Sequence, residues 1–281
     1  MSIPAIPLAR GVEAAIEYLT LHFAFLTKAL SRLVETGVDA LVDAMLWLPP
    51  WLFIAALSGL AWKLAGRRIA VFAAAGLLLV WNLGLWAPMV STLALVLIAT
   101  LVAVSIGMPL GVLAAVFPGV KRVVAPALDF MQTMPAFVYL IPAIPFFGLG
   151  PVSAIVSTVI FAMPPATRLT YLGIEQTPAE LVEAADAFGA TRAQKLFKIQ
   201  LPLARPTIMA GVNQTIMLSL SMVVIAAMIG AKGLGGEVWK AIQRFEPGKG
   251  FEAGVGVVIV AIILDRITQA VARKSPAAQT R

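Results

Sequence analysis

Residues 183–202 read EAADAFGATRAQKLFKIQLP, a polar stretch set between two long apolar segments. A membrane chain rarely keeps a compact helical module between two spans unless something docks on it. Just before it, Thr177-Pro178-Ala179-Glu180 has the form of a capping box with proline at the first helical position, so a helix is expected to start at Pro178. That helix runs through Leu181, Val182, Ala184, Ala185 and Phe188, with Glu180, Glu183 and Asp186 on or beside its other face. Gly189 is placed as its C-terminal stop. A second short helix is expected over 191–199, carrying Arg192, Lys195 and Lys198, before Pro202 breaks it. Ala184 and Ala185 are small enough for another protein's backbone to come close. An amphipathic loop helix lying on lipid headgroups would satisfy the same residues.

The composition belongs to a membrane. Of 281 residues, 60% are hydrophobic and 12% charged, and the charges cluster between apolar runs. The net charge of +7 could suggest a nucleic-acid partner, but no basic stripe with interleaved aromatics occurs, and Lys and Arg sit at the ends of apolar segments. Cysteine is absent, which excludes disulfides and thiolate metal sites. His22 is the single histidine, so the usual metal clusters and a Ser-His-Asp arrangement are excluded as well, and His22 reads as a polar-face helix residue. The start, MSIPAIPLARG, lacks the apolar core of a signal peptide.

Apolar runs long enough to cross ~30 Å of hydrocarbon fall at 44–62, 69–86, 89–117, 128–149, 152–172, 207–231 and 251–270, which predicts seven transmembrane helices. Fourteen of the 21 Lys and Arg residues fall on the side that carries 174–206, and seven on the other. Positive charge marks the cytoplasmic side, so the N-terminus is expected outside and the C-terminus inside. Residues 1–43 then form an external segment, an amphipathic helix over 12–42 lying at the outer interface. Residues 44–272 form the transmembrane domain with the loop 174–206, and 273–281 a cytoplasmic tail.

The spacing Glu183-Ala184-Ala185, three residues, Gly189, nine residues, Ile199-x-Leu201-Pro202 resembles the cytoplasmic coupling motif of ABC importer permeases. The stretch MQTMPAFVYLIPAIPFFGLG at 131–150, with AAMIGAKGLGG at 226–236, resembles the permeases of quaternary-amine importers, which take up glycine betaine, proline betaine, carnitine or choline. The resemblance covers roughly 88–270 and carries nothing over to the N-terminal segment. It implies an all-α, type I permease architecture in a bacterial inner membrane. It also implies two copies of an ABC ATPase that bind ATP and Mg, a second permease chain and an external substrate-binding protein. The module residues Glu183, Ala184, Ala185, Gly189, Ile199, Leu201 and Pro202 would then meet the ATPase.

The residues themselves agree that energy comes from elsewhere, because no G-x-x-x-x-G-K-[ST] exists to cradle ATP phosphates. No acidic residue lies deep in a span, which argues against a proton- or sodium-coupled carrier acting alone. Prolines 135, 142 and 145 should break the run at 128–149, and broken helices often mark a substrate region. Met134, Pro135, Phe137 and Tyr139 are therefore pathway candidates, together with Asn213, Met217 and Ser221, which share a face of the 207–231 run. Polar residues of that kind also join helices by hydrogen bonds. A methylated ammonium is best held by aromatic faces, and Phe130, Phe137, Tyr139, Phe146, Phe147, Trp81 and Trp86 could offer them. Within 232–250 a short helix is expected to lie flat on the outer side. Glu237, Lys240 and Arg244 are its candidates for docking a binding protein, and Trp239 and Phe245 could instead anchor in headgroups.

Overall fold

The computed structural model describes residues 8–273, so the predicted tail beyond Arg273 and the first seven residues lie outside it. Among the described residues every regular element is helical. In chain order these are α1 (Leu8–Trp47), α2 (Pro50–Ala65), α3 (Arg67–Asn82), α4 (Trp86–Val116), α5 (Pro118–Thr133), α6 (Leu140–Phe147), α7 (Pro151–Glu175), α8 (Ala179–Ala187), α9 (Arg192–Lys195), α10 (Leu201–Ala227), α11 (Leu234–Gln243) and α12 (Pro247–Arg273). A 3-10 turn at Ala136–Tyr139 precedes α6, and a π turn at Leu196–Gln200 joins α9 to α10.

The centre is a packed trio of α4, α7 and α10, and it is built from small residues. Lipid tails are as apolar as leucine, so helices in a bilayer associate through close packing rather than through the hydrophobic effect. At Gly111 an added Cβ would press on the Thr167 carbonyl, and at Gly211 on the Pro165 carbonyl. Both crossings are therefore closer than any other residue permits. Several buried hydroxyls of the trio are satisfied within their own helices. Thr158 donates to Ala154 O, Thr170 to Ala166 O and Thr215 to Gly211 O. Thr100 of α4 bonds Ser219 of α10 at 3.3 Å, and Ser157 of α7 donates outside its helix to the Tyr139 carbonyl at 3.1 Å.

Contacts sort the helix ends into two groups. The Leu234 N–H donates to Thr92 Oγ1 at 2.8 Å, so the start of α4 and the start of α11 share one end of the bundle. Val38 of α1 packs at the same end with Leu95, Ile229 and Ala231. Lys121 meets Glu175 at 2.7 Å, which joins the start of α5, directly after α4, to the end of α7 at the opposite pole, where α8 and α9 follow.

Three predicted spans change. The run at 44–62 is divided, because α1 continues to Trp47 and the chain bends 98° before α2. The run at 69–86 ends at Asn82, and Trp86 opens α4 instead. The run at 128–149 is not one helix but α5 and α6, bent by 112° about Pro135. Hydropathy cannot detect such turns, since Pro49 and Pro135 lie inside apolar sequence. Among the described residues four helices are long and apolar enough to cross a membrane, or up to six if each bent pair is one span. At 16 residues each, α2 and α3 reach only about 24 Å. The expected amphipathic N-terminal helix is present, and longer than predicted, as the 40-residue α1. His22 lies on its surface with Nδ1 2.7 Å from the Tyr18 carbonyl oxygen.

Candidate functional site

The module between α7 and α10 starts differently from its sequence. The capping box at Thr177–Glu180 does not form. Pro178 is the N-cap, α8 begins one residue later, and the Thr177 hydroxyl is buried without a hydrogen-bond partner. Thr177 faces the bundle, so its oxygen cannot reach the Glu180 N–H. The box forms instead at α9, where Gln194 N donates to Thr191 Oγ1 (3.3 Å) and Thr191 N to Gln194 Oε1 (2.8 Å).

The end of α8 follows the prediction. Gly189 has φ +74°, its N–H donates to Asp186 O, and the Ala190 N–H donates to Ala185 O, both at 2.9 Å. This pair of bonds is the Schellman cap, whose C′ position is left-handed. Lys195 then bonds Asp186 at 2.6 Å and ties α9 back to α8.

Pro202 does not break the second helix. Residues Arg192–Ala227 form one 36-residue helix in which Pro202 lies in the first turn of α10. The π turn widens the backbone ring just below Pro202 and gives the pyrrolidine room that a regular α turn lacks. Leu196 and Leu201 pack on Ile174, Ala204 and Ile208, so the module is mounted on α7 and α10. Ile199 is half-buried, and Pro202 is exposed.

The surface offered to a partner also differs from expectation. Ala184 and Glu183 are exposed, but Ala185 is buried and not approachable. The apolar face of α8 points outward: Leu181, Ala184 and Phe188 form it at helical spacing, and Phe188 is 92% exposed. Phe197, on the π turn after α9, is exposed as well. The sequence puts Phe188 with Leu181, Ala184 and Ala185 on one apolar side and names only the two alanines as the place of close approach. The position of Phe188 directly before the Gly189 cap was the available signal.

Of the pathway candidates, Pro135 and Phe137 are exposed at the α5–α6 bend, Met134 is half-buried, and Tyr139 is buried. The Tyr139 hydroxyl donates across the bend to the Met131 carbonyl. Pro142 and Pro145 are accommodated in α6 and break nothing further. Asn213 turns away from Met217 and Ser221. Its Nδ2 donates to Asp265 Oδ1 (2.8 Å), its Oδ1 accepts from Thr268 (2.9 Å), and Gln269 also donates to Asp265 (2.7 Å). It joins α10 to α12. Met217 and Ser221 remain on an exposed stripe with Ala210 and Gln214. Trp86 is buried edge-on against Phe53 at 5.5 Å, so its face is not free for a ligand.

At the other pole, Lys240 pairs with Glu237 at 2.8 Å and Lys249 with Glu246 at 3.0 Å, whereas Arg244 has no ion pair among the described residues. Gly235 seats α11 on α10 so tightly that a Cβ would collide with the Val223 backbone. No group of three His, Cys, Asp or Glu side chains is gathered for a metal among the described residues.

Residues 107–275 match the family model described as binding-protein-dependent transport system inner membrane component. The chain is 50% identical over 95% of both chains to the glycine betaine transport system permease protein OpuAB of Bacillus subtilis. It is 51% identical, over 98% of both, to the glycine betaine/carnitine transport permease protein GbuB of Listeria monocytogenes. An inward-facing structure of the MetNI methionine ABC transporter superposes with a TM-score of 0.62 at 25% identity, covering 67% of this chain and 94% of that one. Its all-α bundle, its module between α7 and α10 and these similarities are those of a multi-pass inner-membrane transport subunit, and the chain belongs to the family of binding-protein-dependent transport system inner membrane components, the ABC importer permeases.

Proposed function

We propose that this permease passes a quaternary ammonium compound of the glycine betaine, proline betaine, carnitine or choline type into the cell, driven by a separate ATPase. The observation that carries this is the near full-length identity to permeases named for glycine betaine and carnitine. The pole bearing α8 and α9 is cytoplasmic in this reading, and the pole bearing α11 is external. The N-terminus is outside and the C-terminus inside, in keeping with the bias of Lys and Arg. ATP and Mg bind the partner subunit, of which two copies serve two permease chains.

The exposed Leu181, Ala184 and Phe188 face of α8 enters a cleft on the ATPase. Closure of the nucleotide sites then moves α8, and the stiff rod from Arg192 to Ala227 carries that movement into the membrane. Gln214, Met217 and Ser221 on α10 face the pathway shared with the second copy. A methylated nitrogen offers no hydrogen bond, so exposed rings such as Phe137 and Phe130 attract it by cation–π contact.

Uptake of radiolabelled glycine betaine into cells lacking other betaine transporters tests the assignment, with the permease, its ATPase and its binding protein expressed together. Saturable, ATP-dependent uptake competed by carnitine or choline is expected. Uptake competed only by an amino acid, or proceeding with the permease alone, overturns it.

A further inference from the structure

We infer that the turn Arg244-Phe245-Glu246 after α11 is a docking knob for the external binding protein. The Phe245 ring would enter an apolar socket and the Arg244 guanidinium would meet a carboxylate on its rim. The inference rests on the reading that the α11 pole faces outward.

The chain repeats one helix cap after α3, α8, α10 and α11, and the first three place Gly84, Gly189 and Gly230 in its left-handed position. After α11 the Glu246 N–H donates to Ala241 O at 2.9 Å and the Phe245 N–H to Ile242 O at 3.3 Å, so Phe245 stands where Gly189 stands after α8. Its φ is +54°, and it is the only non-glycine with positive φ among the described residues. Glycine adopts that conformation freely, whereas a side chain strains it. Strain of this kind persists where neighbouring packing rewards the side chain, yet Phe245 is 92% exposed and packs on nothing that would reward it. Its apolar surface is left for a molecule outside the chain.

The surroundings select a protein over a membrane. Glu237, Glu246 and Glu252 line the adjoining cavity of about 310 Å³ with Lys240, Arg244 and Lys249. Three carboxylates against three cations leave this rim with no net charge, so it offers anionic headgroups no net attraction. Two of the carboxylates are already paired with the lysines, which leaves Arg244 free to meet a partner's acid. The 27 residues of α10, roughly 40 Å, separate this turn from the coupling module, so the ATPase cannot be its occupant. A binding protein is the partner that the family's own description requires.

The test uses the permease–ATPase complex in nanodiscs, with ATP hydrolysis followed as betaine-loaded binding protein is added. Phe245→Gly relieves the strain and is expected to raise the melting temperature by a few degrees. The same change should raise the half-saturating concentration of binding protein about tenfold or more. Arg244→Gln is expected to raise it about threefold and flatten its salt dependence. Phe245→Leu, equally strained but still apolar, should fall between wild type and the glycine variant. A glycine variant with unchanged half-saturation overturns the knob and leaves the outward-facing reading intact. A lowered melting temperature also overturns it, because the ring would then be packed. Quenching of Phe245→Trp emission by brominated lipid without binding protein assigns the ring to the bilayer and overturns it likewise. If binding protein fails to stimulate even the wild-type complex, the underlying reading falls as well.

Discussion

Gly189 carries its effect through backbone conformation alone. An added Cβ there would meet nothing within 4 Å, but the residue holds φ +74°. A valine would therefore cost about 1–2 kcal/mol without any clash, and it would misdirect α9, which feeds directly into α10. Gly189→Val is expected to insert in the membrane normally while abolishing transport and weakening ATPase co-purification. Wild-type uptake by that variant would show that the cap does not set the coupling geometry. Asp265 acts differently, as the acceptor that Asn213 and Gln269 share. Asp265→Leu leaves those donors unpaired and should destabilise the purified protein by about 1–3 kcal/mol. Asp265→Asn, which keeps an acceptor, should lose less than about 1 kcal/mol. Thermal unfolding in detergent compares the two, and equal losses would refute the hydrogen-bonding role. Gly189 was legible in the sequence because few residues other than glycine fit a left-handed cap. The partner of Asn213 was not, since it lies 52 residues away and depends on how α12 crosses α10.

The elements of the coupling module could be predicted, but their orientation could not. A helix at α8 followed from its composition, yet helical spacing alone cannot say which of two apolar faces meets the bundle. Ala185 took the inside and Phe188 the outside. Pro202 likewise reads as a breaker until a π turn makes room for it, and nothing in LFKIQ announces a π turn. The break at Pro135 was read correctly because it needs only the missing N–H. Since Phe188 touches so little of its own chain, Phe188→Ser should leave folding intact. It should weaken ATPase association by about 2 kcal/mol, roughly thirtyfold, if the ring is a central anchor. Co-purification and the ratio of ATP hydrolysed to solute moved measure this. An unchanged ratio with full ATPase retention would move the anchor elsewhere, to Leu181 or Phe197.

At the scale of the whole molecule, membrane class and approximate span number were visible in hydropathy, whereas the bends at 98° and 112° were not. Contacts restore what hydropathy loses. The Thr92–Leu234 and Lys121–Glu175 contacts fix opposite poles for the two ends of α4, so α5 and α6 together must return the chain to the pole where α7 begins. Val38 brings the end of α1 to the α11 pole, which requires the short α2–α3 hairpin to leave and return there. The α11 pole outside and α8 inside are thus one linked statement. The absence of cysteine makes it directly testable with single-cysteine variants on the native background. In intact cells an impermeant maleimide is expected to label Gln243→Cys and Ala14→Cys, both exposed positions. Ala193→Cys, exposed on α9, should react only after permeabilisation. Labelling of Gln243→Cys and Ala193→Cys from the same face would contradict the two poles. If Ala14→Cys instead behaves like Ala193→Cys, α1 itself must cross the bilayer before α2, because its end near Val38 is already held at the α11 pole.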